Sequence, residues 1–200
     1  MKKIIIIFSL FVIAFAGRAQ QDFAKNITTA KESYTAHKLE DAHFALQQAM
    51  AELDMIIGQE VLKLLPPKMD TSAFNAKDDH VTSNAGFIGS TIHRSYGTSM
   101  QTKAELEIIN NSPMINTINM FLNTPMLGGM MRDENTKVVK VQGYKARLEK
   151  QDGGTTGPTY VLQMPFHTAL VTYTVHNSSE TEILAMLNTI PFDKIAKLIQ

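Results

Sequence analysis

Apolar residues recur at helical spacing through the first part of the chain, from Asp22 to Leu65. Steps of three and four residues place side chains on one face of an amphipathic helix. The first series is Phe23, Ile27, Ala30 and Tyr34, and the second is Leu39, Ala42, Leu46, Ala49, Leu53, Ile56 and Ile57. The phase changes at Ala36-His37-Lys38, as expected at a tight bend between antiparallel helices. Residues 20–66 are therefore predicted to form a helical hairpin.

Small residues and prolines define this hairpin further. Ala42, Ala45 and Ala49 are spaced so that two helices can approach closely, and Pro66-Pro67 ends the second helix because proline lacks an amide donor. One helix pair cannot bury its own apolar face. We therefore expect the hairpin to pack on the domain that follows or on a partner.

Beyond the hairpin, polar and apolar residues alternate in several short runs. Residues 67–84 show neither the spacing of a helix nor the alternation of a strand, and they are predicted to be a linker. From Met100 to Ile108 every second residue is apolar or small, the pattern of a strand with one buried face. Four more strands are predicted at Thr136–Gln142, Tyr144–Lys150, Thr159–Met164 and Thr168–His176, with an edge strand at Phe87–Tyr96. Their short connections join neighbours antiparallel.

Two helical segments accompany these strands. One is Pro113–Asn123, and the other is Ser179–Gln200 with a break at Pro191. Ser179 and Glu182 have the spacing of a capping box. Residues 85–200 are therefore predicted to form an α+β domain, in which helices cover an antiparallel sheet.

The first 19 residues have the three-part layout of a secretion signal. Lys2 and Lys3 precede an apolar run from Ile4 to Ala16, and Gly17-Arg18-Ala19 places small residues at a cleavage site. That run of about 13 residues is shorter than the roughly 20 that span a bilayer, so no stable membrane anchor is expected after cleavage. The protein is predicted to be exported and soluble, in the periplasm by default, with release from the cell as the alternative.

The amino-acid composition excludes several kinds of site and partner. The chain has no cysteine, which excludes disulfides, thiolate metal sites and attachment of lipid to a cysteine. It has 19 basic and 19 acidic residues, and because three basic ones lie in the signal, the remainder has a net charge near −3. Nucleic acid and anionic membranes are therefore not expected as partners.

Catalytic and metal-binding patterns were sought among the polar residues. No two histidines have the helical spacing of a metal site. Asp78-Asp79-His80 offers three ligands to a cation but lacks the further oxygen ligands of such sites, so a solvated linker is favoured. No serine lies in a Gly-x-Ser-x-Gly turn, and Leu127-Gly128-Gly129-Met130 lacks the Lys-Ser or Lys-Thr pair of a phosphate loop. We predict no enzyme activity and no cofactor.

Methionines are concentrated between residues 114 and 131. Thioethers suit Cu(I), but Met114 and Met120 are expected to fill gaps in the core, which is the usual role of methionine in a helix. The segment from Met126 to Met131 is instead a candidate contact surface for a hydrophobic partner, through Met126, Met130 and Met131.

Several short motifs in order resemble a group of small exported bacterial proteins without an assigned activity. They are Leu64-Leu65-Pro66, Asn111-Ser112-Pro113-Met114, Gln142-Gly143-Tyr144-Lys145-Ala146, Ala169-Leu170-Val171 and Phe192-Asp193-Lys194-Ile195. That group looks like the PsbP-type fold, an αβα sandwich also seen in a photosystem subunit and in a Ran-binding import factor. The resemblance implies a binding function. The hairpin separately resembles one tetratricopeptide unit.

These observations favour a non-enzymatic protein-interaction or assembly module that serves a protein partner in the cell envelope. The alternative is a carrier that holds an apolar small ligand between its sheet and helices. A hydrolase without a recognisable motif is a further alternative. The sequence leaves the oligomeric state open.

Overall fold

The computed structural model describes residues 21–84, 87–98, 101–123, 135–152 and 157–199. The chain folds as predicted into a helical hairpin followed by an α+β domain. Helix α1 includes residues 21–35. The further elements are α2 (Leu39–Leu64), β1 (Lys68–Met69), β2 (Ser72–Ala73), β3 (His80–Asn84), β4 (Phe87–Thr98), β5 (Gln101–Asn110), α3 (Ile115–Asn123), β6 (Thr136–Val141), β7 (Tyr144–Gln151), β8 (Thr159–Phe166), β9 (Ala169–His176), α4 (Glu180–Leu187) and α5 (Phe192–Ala196). The predicted signal, residues 1–19, lies outside the described residues.

The chain divides into two compact units. The first contains the helices up to Gln59 together with Thr82–Ser90, and the second contains Glu60–Val81 and the chain from Thr91 onward. In the first unit, α1 and α2 meet at the predicted bend, where His37 has a left-handed backbone with a φ of 59°. The small residues Ala30, Ala42, Ala45 and Ala49 are buried. The predicted hairpin is confirmed, and α2 ends two residues before Pro66.

The large sheet has seven strands in the order β3-β4-β5-β9-β8-β7-β6. The pairs from β4 to β6 are all antiparallel, which confirms the inference from short connections. The strand predicted at Phe87–Tyr96 is present as β4, but its predicted edge position is wrong. β3 pairs outside it, because residues of the supposed linker extend the sheet.

The prediction that residues 67–84 form a linker without secondary structure is therefore wrong. They contain β1, β2 and β3, and Phe74 forms an isolated antiparallel bridge with Tyr96 in β4. The amide of Asn75 also donates to the Ser95 carbonyl at 2.9 Å. The polar side chains of Asp78, Asp79 and Ser83 bond to β4, and the segment has no periodic apolar pattern from which its strands could be predicted.

One face of the sheet forms the main core of the second unit. On β9, alternate residues from Ala169 to Val175 are fully buried, as are Leu106 and Ile108 on β5 and Leu162, Met164 and Phe166 on β8, which pair with them. Helices α4 and α5 cover this face. The Tyr173 hydroxyl lies 3.3 Å from the sulfur of Met186 in α4, and the rings of Phe166 and Phe192 are 5.3 Å apart.

The opposite face is covered in part by α3. Ile118 and Leu122 pack on Leu170, which lies three residues from Tyr173 and so points to the other side of the sheet. Helices thus lie on both faces.

The helical boundaries after β9 follow the sequence. The Ser179 hydroxyl accepts from the Glu182 amide at 3.3 Å, and the Glu182 carboxylate accepts from the Ser179 amide at 2.8 Å, which confirms the capping box. The predicted break at Pro191 separates α4 from α5.

Candidate interaction surface

Large apolar side chains are exposed mainly on the helical hairpin. Ten are exposed among the described residues, and seven of these belong to α1 and α2. The seven are Ile27, Tyr34, Leu39, Phe44, Leu46, Met50 and Leu53. Single exposed apolar residues are ordinary, but a concentration on one element marks a contact surface.

Four of these residues form a line along α2. Leu39, Leu46 and Leu53 are seven residues apart, so they drift by only about 20° per step around the helix, and Met50 lies one turn after Leu46. Their exposed fractions are 63%, 48% and 42% for the leucines and 54% for Met50. We call these four residues the heptad stripe.

The alanines between the leucines lie on the inner side of the helix. Ala42 and Ala49 each follow a leucine by three residues and are exposed by only 6% and 2%. Leucine and alanine therefore occupy the two seam positions of a heptad repeat. The alanines at one seam position are buried within the protein, whereas the leucines at the other are exposed to solvent.

The area of the stripe fits a contact site. A large side chain presents about 200 Å² when fully exposed, so the four leave roughly 400 Å² open. The largest apolar patch of an ordinary monomer is of that size and is often functional. An amphipathic helix laid along the stripe would cover it through residues at three-, four- and seven-residue spacing.

The charged residues of α2 between Leu39 and Gln59 are all acidic. Residues 39–59 contain Glu40, Asp41, Glu52 and Asp54 and no lysine or arginine. Asp54 lies one turn after Met50, and burial raises the pKa of its carboxyl. Among the described residues, none forms an ion pair or hydrogen bond with Asp54, so its charge is partly desolvated and uncompensated.

A second polar feature lies in the sheet unit, around Arg94. Its side chain is 6% exposed and donates to both carboxylate oxygens of Asp79, from Nε at 2.9 Å and from Nη2 at 2.5 Å. Nη1 donates to the Leu65 carbonyl at 3.1 Å, and the guanidinium lies 4.4 Å from the centre of the Phe74 ring. Burial opposes the charge, but the hydrogen bonds and charge of Asp79 outweigh it, so the pKa of Arg94 is raised.

The neighbouring groups are bonded in the same way. The Asp78 carboxylate accepts from Ser95 and from Asn75, each at 2.6 Å, and the Tyr96 hydroxyl donates to the Pro66 carbonyl at 3.0 Å. The Asp78-Asp79-His80 run is therefore an anchor for β4 rather than the solvated linker that we expected. These contacts could not be predicted from the local sequence, because the partners in β4 lie 15 and 17 residues away.

The histidines form no metal site in the described part of the chain. His80 and His93 stack with ring centroids 4.7 Å apart, but no group of three His, Asp or Glu residues there is placed to hold an ion. The methionine predictions have two outcomes. Met126, Met130 and Met131 lie outside the described residues, whereas Met114 and Met120 are exposed rather than buried in the core, which corrects our expectation.

Two concavities are outlined by described residues. An open groove of about 570 Å³ runs along α1 and is lined by Ile27, Thr28, Lys31, Glu32, Thr35 and Ala36. A depression of about 90 Å³ lies beside the Lys137–Glu180 ion pair, which is too small for a lipid or a similar ligand. Arg94 and the residues bonded to it line neither concavity.

No described helix has the length and apolar character to cross a membrane. No protein-family model, curated protein or solved structure matches this chain.

Proposed function

We propose that this protein is an exported, non-enzymatic interaction module that binds another protein of the cell envelope through its helical hairpin. The observation that carries the proposal is the heptad stripe. Its leucines are spaced for contact with a second helix, yet they remain exposed beside buried alanines. Apolar side chains in this arrangement gain most when another helix covers them.

Two further features support this function. Residues 1–19 have the pattern of a secretion signal, which supports a partner in the envelope. The helices on both faces of the sheet agree with the sandwich that the PsbP-type resemblance implies, and binding modules use that fold. The resemblance itself stays a prediction, as does the periplasmic location.

Site-specific photo-crosslinking in the native envelope tests the proposal. A photoreactive residue replaces Leu46 on the stripe, and the matched control replaces Met120, which is 62% exposed on α3. We expect one protein to be crosslinked from position 46 and not from position 120. The product should disappear when Leu39 and Leu53 are both replaced by glutamine, a good helix former.

Two results would overturn the proposal. One is the absence of a specific product from position 46, and the other is a product that persists when Leu39 and Leu53 are replaced. Circular dichroism of each variant verifies that the helices are retained.

A further inference from the structure

The charge of α2 narrows the partner to one chemical class. We infer that the heptad stripe binds a basic amphipathic helix, with apolar residues along its seam and lysine or arginine beside it. This inference rests on the proposed function, since it names the partner of the same surface. The inference is based on the exposed leucines and on the acidic residues near them.

The acidic residues are placed to meet such flanks. Asp54 follows Met50 by four residues and Glu40 follows Leu39 directly, so both lie toward one side of the stripe on a helix of 3.6 residues per turn. Asp41 lies on the opposite side of α2. In paired helices, residues that flank the apolar seam select the partner by charge. Between Leu39 and Gln59 the charged residues of α2 are all acidic, and this favours a basic helix.

Asp54 adds a second reason. Its carboxylate is partly buried and has no partner among the described residues, which costs free energy while the surface is open. A lysine or arginine from the bound helix would supply the missing counter-ion. The uncompensated charge thus distinguishes basic partners from acidic ones.

The same features argue against a second copy of this chain as the occupant. Two α2 helices brought together along their stripes would place carboxylates against carboxylates, which is unfavourable. The described part of α1 contains two lysines, Lys25 and Lys31, and two acids, Asp22 and Glu32. A second copy therefore offers no predominantly basic helix for this surface.

Two designed peptides test the inference. Both have three heptads with leucine at the seam positions and differ only at the flanking positions, which are all lysine in one and all glutamate in the other. Each is labelled with fluorescein and used below the concentration at which it self-associates. Fluorescence anisotropy with the signal-free protein gives the two dissociation constants at low and at moderate salt.

We expect the lysine peptide to bind at least about tenfold more tightly, with a preference that weakens as salt increases. Replacing Leu46 and Leu53 with glutamine should abolish binding of both peptides. Asp54→Asn should reduce the preference several-fold, whereas Asp41→Asn, on the far side of α2, should leave it nearly unchanged.

The outcomes separate this inference from the proposed function. Equal affinity for the two peptides overturns the charge argument. Failure of both peptides to bind overturns the basic helix as partner, while crosslinking from position 46 would still uphold an interaction surface. Self-association in analytical ultracentrifugation that depends on Leu46 overturns it in favour of a second copy.

Discussion

Arg94 occupies a core position of β4 where an apolar side chain would be the ordinary choice. Its register partner Leu106 is fully buried. The charge is accommodated because Asp79 and the Leu65 carbonyl accept its hydrogen bonds and Phe74 packs on the guanidinium. These contacts hold the chain that follows α2 against β4. Arg94 thereby contributes to holding this segment on the sheet.

Replacing Asp79 with asparagine should lower the free energy of unfolding by about 3 kcal/mol, because the charge of Arg94 stays buried without a counter-ion. Urea denaturation followed by circular dichroism measures the loss. Glu60→Gln is the matched control, since it removes the exposed pair with Lys63 and should cost no more than about 0.5 kcal/mol. Similar losses in both variants would contradict a structural role for the buried pair.

At the scale of elements, α2 has a buried side that contains Ala42, Ala45 and Ala49 and an exposed side that contains the heptad stripe. Ala49 is almost fully buried, so Ala49→Leu should overpack the hairpin and lower the free energy of unfolding by about 2 kcal/mol. Leu46→Gln on the stripe should change it by no more than about 0.5 kcal/mol. Thermal denaturation gives both values. If Leu46→Gln were the more damaging change, the leucines would be core residues and the assigned surface would be refuted.

The elements also show what sequence alone reveals. The alternation along β5 and the spacing of the hairpin are local periods, so both elements could be predicted from their own residues. β3 pairs with β4, and Asp79 bonds to Arg94 in β4. Pairings between residues so far apart leave no periodic pattern in the local sequence. The heptad spacing of Leu39, Leu46 and Leu53 was visible as well. The hairpin was predicted to contact the following domain or a partner, but which side of α2 stays exposed is decided by tertiary packing and could not be predicted.

At the scale of the whole molecule, the two units differ in how they use apolar residues. The sheet unit buries its largest side chains, among them Tyr96, Tyr173, Phe166 and Phe192. The hairpin buries small alanines and exposes seven of its large apolar residues. The sheet unit thus has the ordinary interior of a stable domain. Most of the large exposed apolar side chains of the described residues belong to the hairpin.

The interior of the sheet unit makes its stability sensitive to alkaline pH. Burial raises the pKa of Tyr96 to about 12 and also raises the pKa of Tyr173 well above its ordinary value. Below about pH 10, the pKa of an unfolded tyrosine, both states keep these protons and the stabilisation is complete. Above that pH the unfolded chain loses them first, so the free energy of unfolding should fall as pH rises through about 12.

Urea denaturation at pH 9, 10 and 11, with tyrosinate absorbance recorded in parallel, measures this fall. The Tyr96→Phe and Tyr173→Phe double variant lacks both buried phenols, so its stability should decline more gradually over the same range even if it begins lower. Equal slopes for the two proteins would mean that neither phenol keeps its proton in the folded core. A steeper slope in the unaltered protein would show that ionisation of Tyr96 and Tyr173 lowers the free energy of unfolding at alkaline pH.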